Sequence, residues 1–305
     1  MINKLQNRLN LSDQEVSLIK KEQADVVFNK KILWTIMATL IISLILQMIT
    51  REPILIFGLF IVGLLLIIGI YLYNKEKNEF SNIVKEVIIK GLFEESFSNV
   101  TYQPNKGFDE DFIEKTRLYG TGNRYSSNDL LSATYKDVGF MQADLLLQQV
   151  TSNGKTTTTT TLFHGRWFIC DFIKDFDGYH QIRSNGFFKN KKPYAFFTDK
   201  LKHFEFEDQS FNDRFTTYTT NKQEAYYLIN PGYMQRITDF VDYVNCEVVL
   251  GLIDNKLHVA IFNNEDAFEL KGKNINEDFV SRIENDIKLI KMIIDELDLQ
   301  LDIFK

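Results

Sequence analysis

The chain has few cysteines and prolines, and it has no excess of positive charge. Two cysteines among 305 residues, Cys170 and Cys246, cannot form a disulfide framework, so we expect reduced, buried thiols in a cytosolic domain. Only 4 prolines accompany 26 phenylalanines and 13 tyrosines, which excludes a low-complexity chain. The 35 basic and 41 acidic residues give a net charge of −6. Nucleic-acid binding needs a concentrated basic face, so the sequence predicts no nucleic-acid partner.

Charge is also missing from two early runs, 32–49 and 54–73, which contain no Asp, Glu, Lys or Arg. A helix rises about 1.5 Å per residue, so each run is long enough to cross the roughly 30 Å hydrocarbon core of a bilayer. The turn "TREP" between them favours a tight helical hairpin, with Pro53 in the first turn of the second helix. The first run follows about thirty polar residues and lacks a small-residue cleavage site, which favours a stable anchor over a signal peptide. We therefore predict a two-span anchor in contact with the lipid bilayer.

The lysines around this hairpin predict its orientation. Lys20, Lys21, Lys30 and Lys31 precede it, and Lys75, Lys77 and Lys85 follow it, whereas the turn offers only Arg51. Because positive residues stay on the cytoplasmic side, we expect a multi-pass protein of the cell membrane with both termini in the cytoplasm.

The remaining chain predicts a membrane-anchored α+β protein in which an antiparallel sheet is packed with helices. Ser12 and Glu15 form a capping-box signal for a helix that runs into the first span. "YGTGNRYSSND" is typical of a loop, while Asn153-Gly154 and "DNK" are typical of hairpin turns between strands. The predicted order is an N-terminal cytoplasmic helix (1–31), the hairpin (32–73), an amphipathic stalk helix (74–99) and a cytoplasmic α+β domain (100–305).

A long C-terminal helix is predicted from residue 276 to residue 305 by apolar residues at three-four spacing. One alternative is a helix that covers the sheet within the same chain, and the wide stripe favours it. The other is a coiled-coil seam that forms a homo-oligomer. The stripe consists of Val280, Ile283, Ile287, Ile290, Ile294, Leu297, Leu301 and Phe304.

Motifs for catalysis and cofactors have poor support. "NGKT" at 153–156 lacks the glycine that a phosphate-binding loop requires five places earlier, where Gln149 stands. The four histidines and two cysteines show no zinc-binding spacing. We therefore predict no cofactor, no metal site and no catalytic residue.

The stretch 204–233 concentrates acidic residues among aromatic ones and contains the best remaining candidates for a site. Alternation in "HFEFED" predicts a strand with His203, Glu205 and Glu207 on one face, followed by Asp208. Farther on, Asn221 is expected to cap a helix, with the carboxylate of Glu224 reaching back to the amide of Asn221. Pro231 is expected to end that helix at Asn230 and to begin the next. Structural roles are thus favoured over catalysis for most of these acidic residues, Asp213 included.

This stretch resembles an uncharacterised family of bacterial membrane proteins known only as a domain of unknown function. The resemblance covers roughly 162–268 and the hairpin. It implies a membrane protein without an established activity, and an association with other small bacterial membrane proteins such as those of the LemA type. It rests on Glu207, Phe211, Asn212 and Phe215 in an E-x-x-x-F-N-x-x-F element, on Glu224, Ala225, Tyr227, Ile229 and Pro231 in an E-A-x-Y-x-L-x-P helix, and on the late strand 257–262.

The function that the sequence favours is a non-enzymatic, membrane-anchored module whose cytoplasmic domain binds a protein partner or the membrane surface. The alternative is a membrane-bound hydrolase that uses His203, Glu205, Glu207 and Asp208. Convergence of these groups in a concave pocket would distinguish the two.

Overall fold

The computed structural model describes residues 1–172, 174–185, 201–270 and 275–297. Two members of the predicted C-terminal stripe, Leu301 and Phe304, lie outside these ranges. The chain forms two compact units, one of residues 1–92 with 269–282 and one of residues 93–268 with 283 onward.

The first unit is helical. The capping box predicted at Ser12 is present: the N–H of Glu15 donates to Ser12 Oγ, and the N–H of Ser12 donates to Glu15 Oε2 at 2.8 Å. The helix that begins there continues without a break through the first apolar run. The elements of this unit are α1 (Ile2–Leu9), α2 (Asp13–Thr50), α3 (Pro53–Val84), a π-helical turn (Lys85–Ile89) and the start of α4 (Lys90–Ser96).

Helices α2 and α3 form the predicted hairpin, and Pro53 is the first residue of α3. They approach closely at Gly69, where a Cβ atom would lie 3.3 Å from Ile36 Cδ1 and 3.4 Å from Leu33 Cδ1. Both helices are long and apolar enough to cross a membrane, and no residue of the most apolar 18-residue window of either is buried. A core helix of a soluble protein would hide that window, so its exposure fits a lipid-facing surface.

The π-helical turn lies where α3 ends. It buries the side chain of Lys85, whose Nζ lies 2.6 Å from Glu269 Oε1 in the same unit. A buried lysine needs such a partner, because an isolated charge out of water is costly.

The second unit contains a nine-stranded sheet in which all neighbouring strands are antiparallel, in agreement with the predicted fold class. The hairpin turns predicted at Asn153-Gly154 and at 254–256 are confirmed. The strand order is β1-β2-β3-β4-β9-β8-β5-β7-β6. The strands are β1 (Ser98–Gln103), β2 (Arg124–Tyr135), β3 (Val138–Ser152), β4 (Thr157–Asp171), β5 (His180–Ser184), β6 (Lys202–Phe204), β7 (Phe215–Thr219), β8 (Glu247–Ile253) and β9 (Lys256–Phe262).

Helices complete this unit. One face of the sheet packs against α5 and the segment after it, with Trp167, Phe163, Ile113 and Leu118 fully buried. On the other face, Asp286 accepts a hydrogen bond from Arg166 of the sheet at 2.6 Å. The helices are α5 (Glu110–Thr116), α6 (Gln209–Arg214), α7 (Lys222–Leu228), α8 (Pro231–Val244) and α9 (Glu277–Glu296).

The apolar stripe of α9 is buried within the chain, as the intramolecular alternative predicts. Ile290 is 1% exposed, and Ile294 and Leu297 are 0% exposed.

Three sequence-based boundaries differ from the structure. The loop predicted from Tyr119 to Asp129 is wrong over its second half, because β2 begins at Arg124 and pairs with Gln148. The strand predicted from "HFEFED" ends at Phe204, four residues before Asp208, which caps α6. Strand β1 begins at Ser98, inside the predicted stalk.

Candidate functional site

The four residues of the candidate hydrolase site do not share a strand face. His203 is exposed on the short edge strand β6, with its ring 5.7 Å from that of Tyr218. Glu205 and Glu207 follow the end of this strand and are exposed. Asp208 caps α6, accepting hydrogen bonds from Ser210 N at 2.9 Å and Phe211 N at 3.2 Å. The hydrogen bond from the Ser210 hydroxyl at 2.5 Å lowers the pKa of Asp208 most, and the two N–H groups add to this effect, so its carboxylate has a local structural role.

Strand β6 stops at Phe204 because the side chain of Asn212 bonds the backbone of Phe206. Asn212 Nδ2 donates to the carbonyl of Phe206 at 2.8 Å, and Asn212 Oδ1 accepts from the N–H of Phe206 at 3.0 Å. The amide thus satisfies both backbone groups of Phe206 as a neighbouring strand would. Buried rings of Phe204, Phe206 and Phe211 pack edge to face at this corner.

The other motif glutamate, Glu224, joins α7 to the segment before β5. Its Oε1 accepts from Asp177 N at 3.0 Å, and its Oε2 accepts from Gly178 N at 2.7 Å and lies 2.9 Å from His180 Nε2. A Cβ atom at Gly178 would lie 2.1 Å from Glu224 Oε2, so this approach requires glycine. Asn221 caps α7 as predicted. The predicted return of the Glu224 carboxylate to Asn221 is wrong, because that carboxylate binds Asp177, Gly178 and His180 instead.

A hydroxyl, an imidazole and a carboxylate therefore follow one another, since His180 Nδ1 lies 2.8 Å from Thr219 Oγ1. This order occurs in acid–base relays of hydrolases. Here Thr219 and His180 are each 1% exposed, and Thr219 Oγ1 also bonds both the N–H and the carbonyl of Asn221. A substrate has no access to this hydroxyl, so the three side chains fix the backbone between Asp177 and Asn221.

Burial has opposite effects on the pKa values of His180 and Glu224, the two titratable groups of this contact. Burial lowers the pKa of His180, and this effect outweighs the hydrogen bond to Glu224 and the charge of Glu224, which both raise it. Burial would raise the pKa of Glu224, but the N–H of Asp177, the ring of His180 and the N–H of Gly178 together hold it below its ordinary value. An ionised Glu224 beside a neutral His180 is therefore the state favoured near neutral pH.

A second polar cluster lies beneath α9. Asp144 is 1% exposed, and its Oδ2 accepts from Ala267 N at 2.5 Å. Asp129 is fully buried at a bulge of β2 and accepts hydrogen bonds from Tyr102 and Asn128. Burial and the charge of Asp129 raise the pKa of Asp144 well above its ordinary value, against the opposing effects of Arg166 and Ala267 N. We therefore expect Asp144, one of these two neighbouring buried carboxyl groups, to hold a proton.

An open cleft of about 500 Å³ lies at the end of β5 and β7. Its wall carries the ion pair of Arg214 and Asp242, joined by Nη1 and Oδ2 at 3.0 Å. Cys246 also lines the cleft; it is half-buried, and burial raises the pKa of its thiol. Both cysteines are free, but the expected burial holds only for Cys170. None of the four hydrolase candidates lines this cleft.

Among the residues that the structure describes, the carboxylates of Glu22, Asp25 and Glu76 come within 4.8 Å of one another. All three side chains are half-buried, and Lys21 Nζ lies 3.6 Å from Glu22 Oε1. This acidic group belongs to α2 and α3 and not to the predicted site.

Sequence reasoning missed the partners of Glu224 and the buried carboxyl groups. His180 stands in a strand signal, "GYHQIRS", but nothing in the spacing connects it with Glu224, 44 residues later. A signal for Asp144 was present, because a carboxylate in the middle of the apolar strand "FMQADLLL" is expected to have a buried partner.

The family model described as "Protein of unknown function (DUF3137)" matches residues 161–299. This range includes the motif residues quoted above, from Glu207 to Pro231, and the strand 257–262. The resemblance to a family without an established activity is thus confirmed, and the hairpin lies outside the matched range. No curated protein matches the chain.

Among solved structures, the crystal structure of the mycobacterial trehalose monomycolate transport factor A, TtfA, is similar to this chain with a TM-score of 0.32 and 11% sequence identity. The likeness covers 67% of this chain and 89% of that one. A likeness this weak shows nothing about the function of the chain.

Proposed function

We propose that the chain is a non-enzymatic, membrane-anchored module. Its α2–α3 hairpin lies in the bilayer, and its α+β unit binds a protein partner on the cytoplasmic side. The proposal rests on the hairpin first and on an exposed aromatic surface of α7 second.

The observation that carries the proposal is the apolar surface of the hairpin. Ile42 is 65% exposed, Met48 80%, Phe57 70% and Phe60 74%. Apolar side chains of this size, without a charged residue among them, would be unstable in water and are stable against lipid. Backbone hydrogen bonds inside each helix satisfy the requirement that spanning segments meet.

The orientation follows from charge. Six exposed or half-buried lysines, Lys20, Lys21, Lys30, Lys31, Lys75 and Lys77, stand at the open end of the hairpin, and Arg51 stands at its turn. The positive-inside tendency therefore supports cytoplasmic termini.

The surface that supports a protein partner is the outer side of α7. Tyr226 is 46% exposed and Tyr227 is 52% exposed, and Lys174 Nζ lies 4.9 Å from the ring centre of Tyr227. Tyr227 is also the tyrosine of the E-A-x-Y element. Tyrosines are enriched in protein interfaces because a rigid ring and a hydroxyl give contact area at low entropic cost. A small membrane protein is the partner class that the family resemblance implies.

Crosslinking with mass spectrometry in native membranes tests this function. We expect crosslinks between residues near Tyr227 and one other protein, and their loss in a Tyr226→Ala, Tyr227→Ala double variant. Tyr243→Ala is the matched control, because that tyrosine is 51% exposed on α8. Crosslinks of this surface only to lipid would favour the membrane surface as the ligand and contradict a protein partner.

A further inference from the structure

Strands β3 and β4 continue past the body of the sheet as a two-stranded ribbon. Gln148–Ser152 pairs with Thr157–Thr161, around the turn at Asn153-Gly154. Beyond Arg124, which pairs with Gln148, β2 no longer covers β3, and β9 covers β4 only as far as Gly165. Every residue from Thr151 to Thr161 is exposed. The ribbon therefore has two outer edges of its own.

The β3 edge of the ribbon is closed by one side chain. Asn123 Nδ2 donates to the carbonyl of Val150 at 2.7 Å, and Asn123 Oδ1 accepts from the N–H of Val150 at 2.7 Å. The N–H of Asn123 also donates to the carbonyl of Gln148 at 3.0 Å. Asn123 thus occupies the place of a neighbouring strand, and the outward backbone groups of Val150 are satisfied.

The β4 edge has no such cover. Because Val150 points its N–H and carbonyl away from β4, the residue opposite it, Thr159, points its own away from β3. The same orientation recurs at every second residue, hence at Thr157 and Thr161. Among the residues that the structure describes, no group bonds these outward N–H and carbonyl groups. They form a row of about 13 Å, since a strand rises about 3.3 Å per residue.

Charged residues and proline, two of the usual protections of a free edge, are absent from residues 157–161, and the one irregularity of β4, a register shift against β3, lies just beyond Thr161. Natural proteins place charged residues, proline or a bulge on such an edge, because it can pair with another strand. From Thr156 to Thr161 the chain has six threonines in succession and no charge. Threonine is a good strand former, and threonine pairs facing each other across strands stabilise a sheet.

We propose that this edge pairs with the same edge of a second copy of the chain. The two ribbons would run antiparallel around a twofold axis at Thr159, with Thr157 of each copy opposite Thr161 of the other. Three pairs of outward residues then exchange six backbone hydrogen bonds and form a four-stranded ribbon across the two copies.

The composition of the edge favours a second copy over a different segment. A run of identical threonines is complementary to itself, as a twofold interface requires. Lys155, the nearest charged residue, lies in the turn before β4, so the lysines of the two copies would stand at opposite ends of the paired segment and would not face each other across it. Stable protein interfaces bury at least about 1,200 Å², and this contact is smaller. The pairing is therefore weak, and we expect it where the membrane brings copies of the chain to a high local concentration.

Disulfide formation in reconstituted membranes tests the register. The full-length Thr159→Cys variant, with Cys246→Ser to remove the half-buried thiol, is oxidised in lipid vesicles. Residues of a hydrogen-bonded antiparallel pair have Cα atoms about 5.5 Å apart, inside the range for a disulfide. We expect rapid dimer formation by Thr159→Cys. The matched control is Thr157→Cys, on the same exposed edge, whose symmetry mate would lie about 13 Å away and should crosslink at least about tenfold more slowly.

A second variant tests the backbone bonds themselves. Proline at 157 and 161 removes two N–H donors that face away from β3, so the ribbon keeps its internal ladder. Added to Thr159→Cys, this pair of prolines should slow the crosslink about tenfold or more, whereas Thr157→Val with Thr161→Val, which keeps the N–H groups, should not. Equal crosslinking of Thr157→Cys and Thr159→Cys, or no effect of the prolines on the crosslink, would each overturn the proposal.

Discussion

Glu224 Oε2 lies 2.9 Å from Nε2 of His180, a residue 44 positions earlier in the chain. This contact, together with the bonds from Asp177 N and Gly178 N, ties the start of β5 to the first turn of α7. A glutamate in a family motif would ordinarily suggest catalysis. Here its carboxylate accepts from two backbone N–H groups and contacts the buried ring of His180, so it has a structural role.

Removal of the charge on Glu224 should therefore destabilise the domain. In Glu224→Gln the two backbone N–H groups lose a charged acceptor, and we expect a loss of about 1–3 kcal/mol in the free energy of unfolding. Thermal unfolding of the full chain in detergent measures it. Glu207→Gln is the matched control, because Glu207 is the exposed glutamate of the other motif element. A melting temperature equal to that of Glu207→Gln would contradict the structural role.

Asp144 should make the protein less stable as the pH rises. Burial and the nearby Asp129 raise its pKa, so the folded chain holds a proton that the unfolded chain releases above about pH 4. The unfolded state then binds fewer protons than the folded state, and the free energy of unfolding falls with pH until the raised pKa is passed.

Asp144→Asn removes this titration and keeps an acceptor for Ala267 N. We expect it to raise the free energy of unfolding at pH 7.5, where the unfolded chain has released the proton that folded Asp144 holds, and to have little effect at pH 4. Chemical denaturation at the two pH values measures the difference. Asp111→Asn, at an exposed carboxylate of α5, is the control for the loss of one acidic charge. A destabilised Asp144→Asn at pH 7.5 would count against a protonated Asp144.

These contacts also show which features the sequence could predict. The capping box at Ser12 and the cap at Asn221 were predictable from the sequence because each joins residues three positions apart. The hairpin turn at Asn153-Gly154 was readable for the same reason. Apolar length alone indicated the two long helices.

Two kinds of contact were not predicted from the sequence: short-range side-chain bonds that compete with a period-two pattern, and contacts between residues far apart in the chain. Alternation in "HFEFED" predicts a strand to Asp208, yet Asn212 closes the backbone of Phe206 and Asp208 caps a helix, so local bonds override the period-two pattern. The cluster of Asp129, Asp144 and Arg166 depends on the register of three strands, which no local pattern determines.

The hydrolase alternative makes a direct prediction for His203, Glu205 and Glu207. All three side chains are exposed and lie outside the core, so alanine at each should change the free energy of unfolding by no more than about 0.5 kcal/mol. A strain with the triple variant should then keep its phenotype if these residues are not catalytic. Loss of phenotype by a stably folded triple variant would revive the hydrolase alternative.

The orientation of the hairpin can be tested with single cysteines in a Cys246→Ser background. Arg51 lies in the turn, whereas Asn10 and Asn78 are exposed at the opposite end of the helices. With both termini in the cytoplasm, a membrane-impermeant maleimide applied to intact cells should label Arg51→Cys and leave Asn10→Cys and Asn78→Cys unlabelled until the membrane is opened. Cys170 is buried and should contribute no signal in folded protein. The reverse pattern would place the α+β unit outside the cytoplasm, and labelling of Asn10→Cys but not Asn78→Cys in intact cells would exclude a two-span hairpin, because the two positions would then lie on opposite sides of the membrane.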